Sequence, residues 1–111
     1  MSGGAICRQW RGWTTPDNAD AYERVVRSEV IPAIEARSIP GFRHIDLMRR
    51  DLGDEIEFQT LMWFDSLEAI KAFMGDDYSV SHVPRAAQAV LERFDERAVH
   101  FEVIDRRTQD G

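Results

Sequence analysis

The run Glu55-Ile56-Glu57-Phe58-Gln59-Thr60-Leu61-Met62-Trp63-Phe64 decides the fold. Side chains of an extended chain alternate between two faces, so Ile56, Phe58, Thr60, Met62 and Phe64 share one face. Glu57, Gln59, Leu61 and Trp63 share the other, which turns from polar to apolar along the strand. A sheet with one solvated face keeps that face polar along its length. Something therefore covers both faces near Leu61 and Trp63.

Working outward, residues 42–50 form a second β-rich run, joined to the first by Asp51-Leu52-Gly53-Asp54. A short linker containing glycine between two such runs predicts an antiparallel hairpin. Upstream, residues 5–13 are too short and too aromatic for a good helix and read as a strand. Thr14-Thr15-Pro16-Asp17 then starts a helix, with Thr15 as N-cap, Pro16 at the first position and Asp17 complementing the helix dipole. Tyr22, Val25, Val26, Val30, Ala33 and Ile34 form its apolar stripe. Pro32 predicts a kink or an irregular end, and Ile39-Pro40-Gly41 stops the helix. Downstream, Asp65-Ser66 caps a helix with Leu67, Ile70, Phe73 and Met74 as its stripe and Gly75 as its stop. Residues 76–83 read as a loop. Pro84 opens a last helix carrying Ala87, Val90, Leu91 and Phe94. Val99, Phe101 and Val103 alternate with His100 and Glu102 in a final strand, and residues 105–111 form a polar C-terminal tail.

Strand, helix, strand, strand, helix, strand is the order of an α+β, ferredoxin-like βαββαβ domain with a four-stranded antiparallel sheet, here over residues 1–104. Helices cover one face of such a sheet. The other face carries apolar residues and needs a partner, for which a homodimer packed sheet to sheet is the simplest answer.

Composition narrows the function. The 111 residues carry 14 basic and 20 acidic side chains, a net charge of −6. That field repels phosphate backbones and anionic lipid, so neither nucleic acid nor membrane is an expected partner. Apolar residues at 43% and charged residues at 31% exclude a disordered chain. Cys7 has no second cysteine to pair with, and the N-terminal residues lack a basic and an apolar targeting region. A soluble, cytoplasmic protein is expected.

Pro40-Gly41-Phe42, then Glu57-Phe58-Gln59-Thr60-Leu61-Met62-Trp63-Phe64-Asp65-Ser66-Leu67-Glu68-Ala69-Ile70, then Phe73, and finally Val99-His100-Phe101-Glu102-Val103, stand in an order that resembles the antibiotic biosynthesis monooxygenase (ABM) superfamily. The resemblance covers about residues 5–104. It implies a dimeric α/β barrel with a pocket between each sheet and its own helices. Members of that group include cofactor-free oxygenases of polycyclic aromatic compounds, haem-degrading oxygenases and quinol oxygenases. The haem-degrading members use an Asn on the first strand, a Trp on the helix after the third strand and a His at the following helix. His82 falls near that histidine, but Phe73 stands at the Trp position. The first strand reads Ile6-Cys7-Arg8-Gln9-Trp10, without an asparagine. No haem, and no other cofactor, is expected.

Candidate site residues follow from chemistry. Histidine is the side-chain type that exchanges protons near neutral pH, which makes His82, His44 and His100 the candidate catalytic bases. His82 leads by its loop position and by the resemblance. Trp63, closing its strand just before a helix cap, is expected at the pocket mouth, meeting Tyr22 and Phe73 from the two helices; Trp13 is a further candidate wall. Aromatics at strand ends fill cores more often than they stack on ligands. Trp10 and Trp13, three apart, lie on opposite strand faces. No histidine or cysteine pair has metal-ligand spacing, and no phosphate loop, dinucleotide fingerprint or nucleophile elbow is present. Two functions remain: a cofactor-independent monooxygenase of a small aromatic or phenolic compound, and a non-catalytic small-ligand-binding or stress-related protein of the same fold.

Overall fold

In the computed structural model, which describes residues 5–111, the chain runs β1 (Ile6–Thr14), a 3-10 turn (Pro16–Asn18), α1 (Ala19–Val25), a π-helical turn (Val26–Val30) and α2 (Ile31–Glu35). It continues through β2 (Phe42–Asp51), β3 (Ile56–Phe64), α3 (Leu67–Met74), α4 (Arg85–Gln88), β4 (Arg93–Phe94) and β5 (Val99–Glu102). The sheet is antiparallel, with β3 at its centre between β2 and β1. Both β4 and β5 pair with the free edge of β1, β4 at Gly12–Trp13 and β5 at Ile6–Gln9. The expected final strand forms as β5, and β4 is an additional short strand where the last helix was expected to continue. The gap between β4 and β5 is bridged by the preceding loop, where Ser81 N–H donates to Glu96 O and Ala98 N–H to Ser79 O.

Local signals act as their chemistry dictates. Thr15 Oγ1 accepts from Asn18 N–H at 3.3 Å, and Ser66 Oγ accepts from Ala69 N–H at 3.2 Å, each satisfying an orphan donor of the first turn. Pro32 has no N–H to give to the carbonyl four residues back, and the irregularity falls just before it as the π-turn, with Ile31 N–H reaching Val26 O. The hairpin closes with Gly53 at φ +94°, a left-handed angle, and its N–H on Asp51 Oδ1 at 2.7 Å.

One expectation fails here. The last helix does not extend to Phe94 but ends at Gln88, because β1 captures the chain beyond it. Glu92 N–H donates to Trp13 O and Asp95 N–H to Arg11 O, and these sheet bonds replace further helical turns.

All helices lie against the inner face of the sheet, defined by Phe58, Met62 and Phe64 of β3. Phe58 and Phe64 are wholly buried. Around Phe58 gather Ala19, Tyr22, Val26, Ile56 and Ala87; around Phe64 gather Met62, Ala69 and Ile70. Truncating Phe58 leaves a cavity the two layers cannot close, so Phe58→Ala should cost about 3–5 kcal/mol in urea unfolding. Ser66→Ala, which removes only a cap, should cost about 1 kcal/mol.

Candidate active site

Between the inner sheet face and the helices lies a cavity of about 650 Å³. Tyr22, Val26, Val30 and Ile34 of the first helical segment form one wall, and Thr60 and Met62 of β3 form the floor. Trp10 and Arg8 of β1 close one side; Phe73 and Met74 at the end of α3 close another; Ser81, His82 and Val83 bound the mouth. Helical spacing brings Tyr22, Val26, Val30 and Ile34 onto one face of their helix. Strand parity does the same for Arg8 with Trp10, paired to Met62 and Thr60.

The walls are mostly apolar. Tyr22, 3% exposed, packs edge-on against Phe58 with ring centroids 4.7 Å apart. Burial pushes its phenol pKa up, so it stays a neutral donor. Trp10 is held by its indole N–H donating to Asp95 O at 2.9 Å. Phe73 lies 5.9 Å from Phe64 on one side and beneath the Arg37 guanidinium on the other. His82 is exposed at the mouth.

Three charged side chains border this lining, and of them Glu29 and Arg37 are exposed while Arg8 is buried. It is 5% exposed, yet no carboxylate stands within 4 Å of it among the described residues. Its Nη1 donates to Tyr78 O and lies 3.0 Å from His100 Nε2, and its Nη2 donates to Val80 O at 3.3 Å. Burial pushes the guanidinium down to about 10. His100 also titrates below its ordinary 6.5, first because it is buried and second because Arg8 faces it. A neutral His100 with a bare Nε2 accepts from Arg8, whereas a protonated one would repel it.

Of the seven residues proposed from the sequence, Tyr22, Phe73 and His82 meet around this cavity. His100 stands behind Arg8, with its lone pair turned to the guanidinium rather than to the cavity. The other three lie on the opposite, outer face. Trp63 pairs with Cys7 and His44 across the sheet, has its indole N–H on Asp46 Oδ2 at 3.0 Å and lies 5.5 Å from the His44 ring. Trp13 is sandwiched under Arg93, 3.9 Å from ring centroid to guanidinium carbon. The expectation that Trp63 meets Tyr22 and Phe73 is therefore corrected. β3 runs without a bulge, so Trp63 keeps the parity of Glu57 and Gln59, and the tryptophan at the cavity is Trp10. Sequence reasoning missed Arg8 and, of Trp10 and Trp13 on opposite strand faces, named Trp13 rather than Trp10 as the cavity wall. The period-two link from Trp10 to Arg8 was the available signal.

Among the described residues no group of three His, Cys, Asp or Glu side chains is placed to hold a metal, and no helix is long and apolar enough to cross a membrane.

An antiparallel sheet with helices on one face and a cavity between the layers defines a split-βαβ, ferredoxin-like α+β domain. The chain belongs to the antibiotic biosynthesis monooxygenase (ABM) family, whose profile matches residues 6–85. Solved structures of the same fold include a protein from Bacillus cereus (12% identity, TM-score 0.65, covering 96% of this chain and 100% of that one). SnoaB, a cofactor-independent oxygenase from Streptomyces nogalater, aligns at 16% identity with a TM-score of 0.56, covering 97% of this chain and 99% of that one. The ActVA-Orf6 monooxygenase of Streptomyces coelicolor, in complex with nanaomycin D, aligns at 16% and 0.58, covering 96% and 93%. At these identities the likeness is one of fold. Among curated proteins, none matches.

The His100–Arg8 contact has a pH signature. The folded chain binds the His100 proton less readily than the unfolded chain does, so stability is lost as pH falls below about 6.5. The urea midpoint should drop between pH 7.5 and 5.5, and drop less in His100→Gln. Equal slopes for the two proteins would contradict the contact.

Proposed function

We propose that the chain is a cofactor-independent monooxygenase of a small phenolic aromatic compound, bound against Trp10, Tyr22 and Phe73 with His82 as the base. The observation that carries this reading is the open-mouthed, mostly apolar cavity lined by Trp10, Tyr22 and Phe73, with the His82 imidazole among its lining residues. ABM membership and the fold shared with SnoaB and ActVA-Orf6 support it. An imidazole suits the removal of a phenolic proton near neutral pH, and an apolar cavity keeps water from the reactive anion. The phenolate then gives electrons from its para carbon to O2, forming a C–O bond. Scission of the O–O bond with loss of the para hydrogen releases water. Net, phenol plus O2 gives para-quinone plus water, so the substrate supplies every electron.

With 1-naphthol as probe, the protein should consume one O2 per 1,4-naphthoquinone formed and place one atom of 18O2 in the product. His82→Ala should slow turnover by about a hundredfold. Binding of 1-naphthol without oxygen uptake would instead favour the non-catalytic, ligand-binding reading.

The same proposal includes a homodimer formed through the outer sheet face. Among the described residues no helix covers that face. Met48, Val99 and Phe101 stand 44%, 46% and 53% exposed there beside half-buried Leu61 and Trp63. Apolar side chains left exposed on an uncovered sheet face are stabilised by burial against a second copy. Sedimentation should give twice the 12.8 kDa chain mass, and Leu61→Asp, which buries an unpaired charge in that seam, should shift it to the single-chain value.

A further inference from the structure

Arg8 has less support than its burial demands. A guanidinium withdrawn from water loses several kcal/mol of hydration unless an opposite charge or a full set of acceptors replaces it. Two backbone carbonyls and one imidazole nitrogen supply dipoles but no negative charge. Those contacts hold the guanidinium by its Nη1 and Nη2 while the side chain borders the cavity. Met1-Ser2-Gly3-Gly4 carries no carboxylate side chain. The one carboxylate lining the cavity, Glu29, is exposed at the helical wall and makes no ion pair with Arg8. Arg8 is thus a buried cation bordering the cavity with no carboxylate paired to it among the described residues.

We propose that Arg8 is the specificity-determining residue of this cavity, taking the oxyanion of a planar aromatic carboxylate or phenolate whose rings lie against Trp10 and Tyr22. The proposal rests on the cavity being the binding site, as the oxygenase reading also does, and it needs no reaction to occur there. Guanidinium geometry suits it, since the planar fork meets a carboxylate with two N–H donors or a phenolate with one. Neutral His100 keeps the positive charge on Arg8 unshared, and the Tyr78 and Val80 carbonyls fix its plane. An uncharged aromatic of the same shape leaves the guanidinium without an anion and forfeits that part of the affinity.

Calorimetric titration with 1-naphthoate and with its neutral isostere 1-naphthamide tests this directly. The wild-type protein should bind the carboxylate about tenfold or more tightly than the amide. Arg8→Met, similar in length but uncharged, should erase the preference while leaving amide binding within about twofold. A third titration, with 1-naphthol at rising pH, separates the two oxyanions: affinity that climbs as the phenol ionises marks phenolate recognition, and a carboxylate preference alone marks an aromatic acid. Equal binding of naphthoate and naphthamide by the wild type, failure of the wild type to bind either, or a preference surviving in Arg8→Met overturns the proposal. Where Arg8→Met does not fold, the wild-type Arg8 Nε–H resonance decides: it should shift on saturation with 1-naphthoate, and an unmoved signal rejects the assignment. Charge preference without oxygen uptake would leave this proposal standing and remove only the oxygenase reading.

Discussion

The unbroken alternation of β3 governs everything else in this molecule. Phe58, Met62 and Phe64 point to the helices, and Leu61 and Trp63 point away, because the strand pairs with β1 and β2 without a bulge of its own. A slip of one residue would exchange the faces, exposing two phenylalanines that are now wholly buried. That cost fixes the register of β1 as well. Once Met62 and Thr60 face inward, their partners Arg8 and Trp10 must do so too. The composition of the cavity is thus set two strands deep in the sheet rather than by the loops around it.

Two kinds of interaction share that cavity. Its apolar walls favour a flat, uncharged ring system through area removed from water. Its single buried cation favours an oxyanion at one end. The two preferences act on different parts of one ligand, so they set an orientation: rings toward Trp10, Tyr22 and Phe73, and charge toward Arg8, whose Nη2 donates to Val80 O two residues before His82. The outer face follows different physics. There Glu57, buried at one end of β3, is held by Arg50 and Gln59, while Leu61 and Trp63 make the other end of the same face apolar.

The element order was legible because its signals are local. The Thr15 and Ser66 caps, the Gly53 turn and the alternation of residues 55–64 each depend on a few neighbouring residues, and each is realised. The end of the last helix was not, since the hydrogen bonds that stop it come from β1, some eighty residues earlier in the chain. The site was half legible for a related reason. Tyr22 and Phe73 sit on helices with one apolar stripe and so have one direction to point. In β1, Cys7 and Trp13 on one face compete with Ile6 and Trp10 on the other, and that strand alone gives no reason to choose. Arg8 was hidden by its type, because an arginine among polar neighbours reads as solvated until β5 and the loop at Tyr78 are seen to bury it.

The central claim is that aromatic ligands enter between sheet and helices and not on the outer face. Protein labelled with 15N shows one indole N–H resonance each for Trp10, Trp13 and Trp63, assignable by single Trp→Phe substitutions. On saturation with 1-naphthol the Trp10 resonance should shift while those of Trp13 and Trp63 stay in place. A shift of Trp63 with Trp10 unmoved would place the ligand on the opposite face and contradict the account.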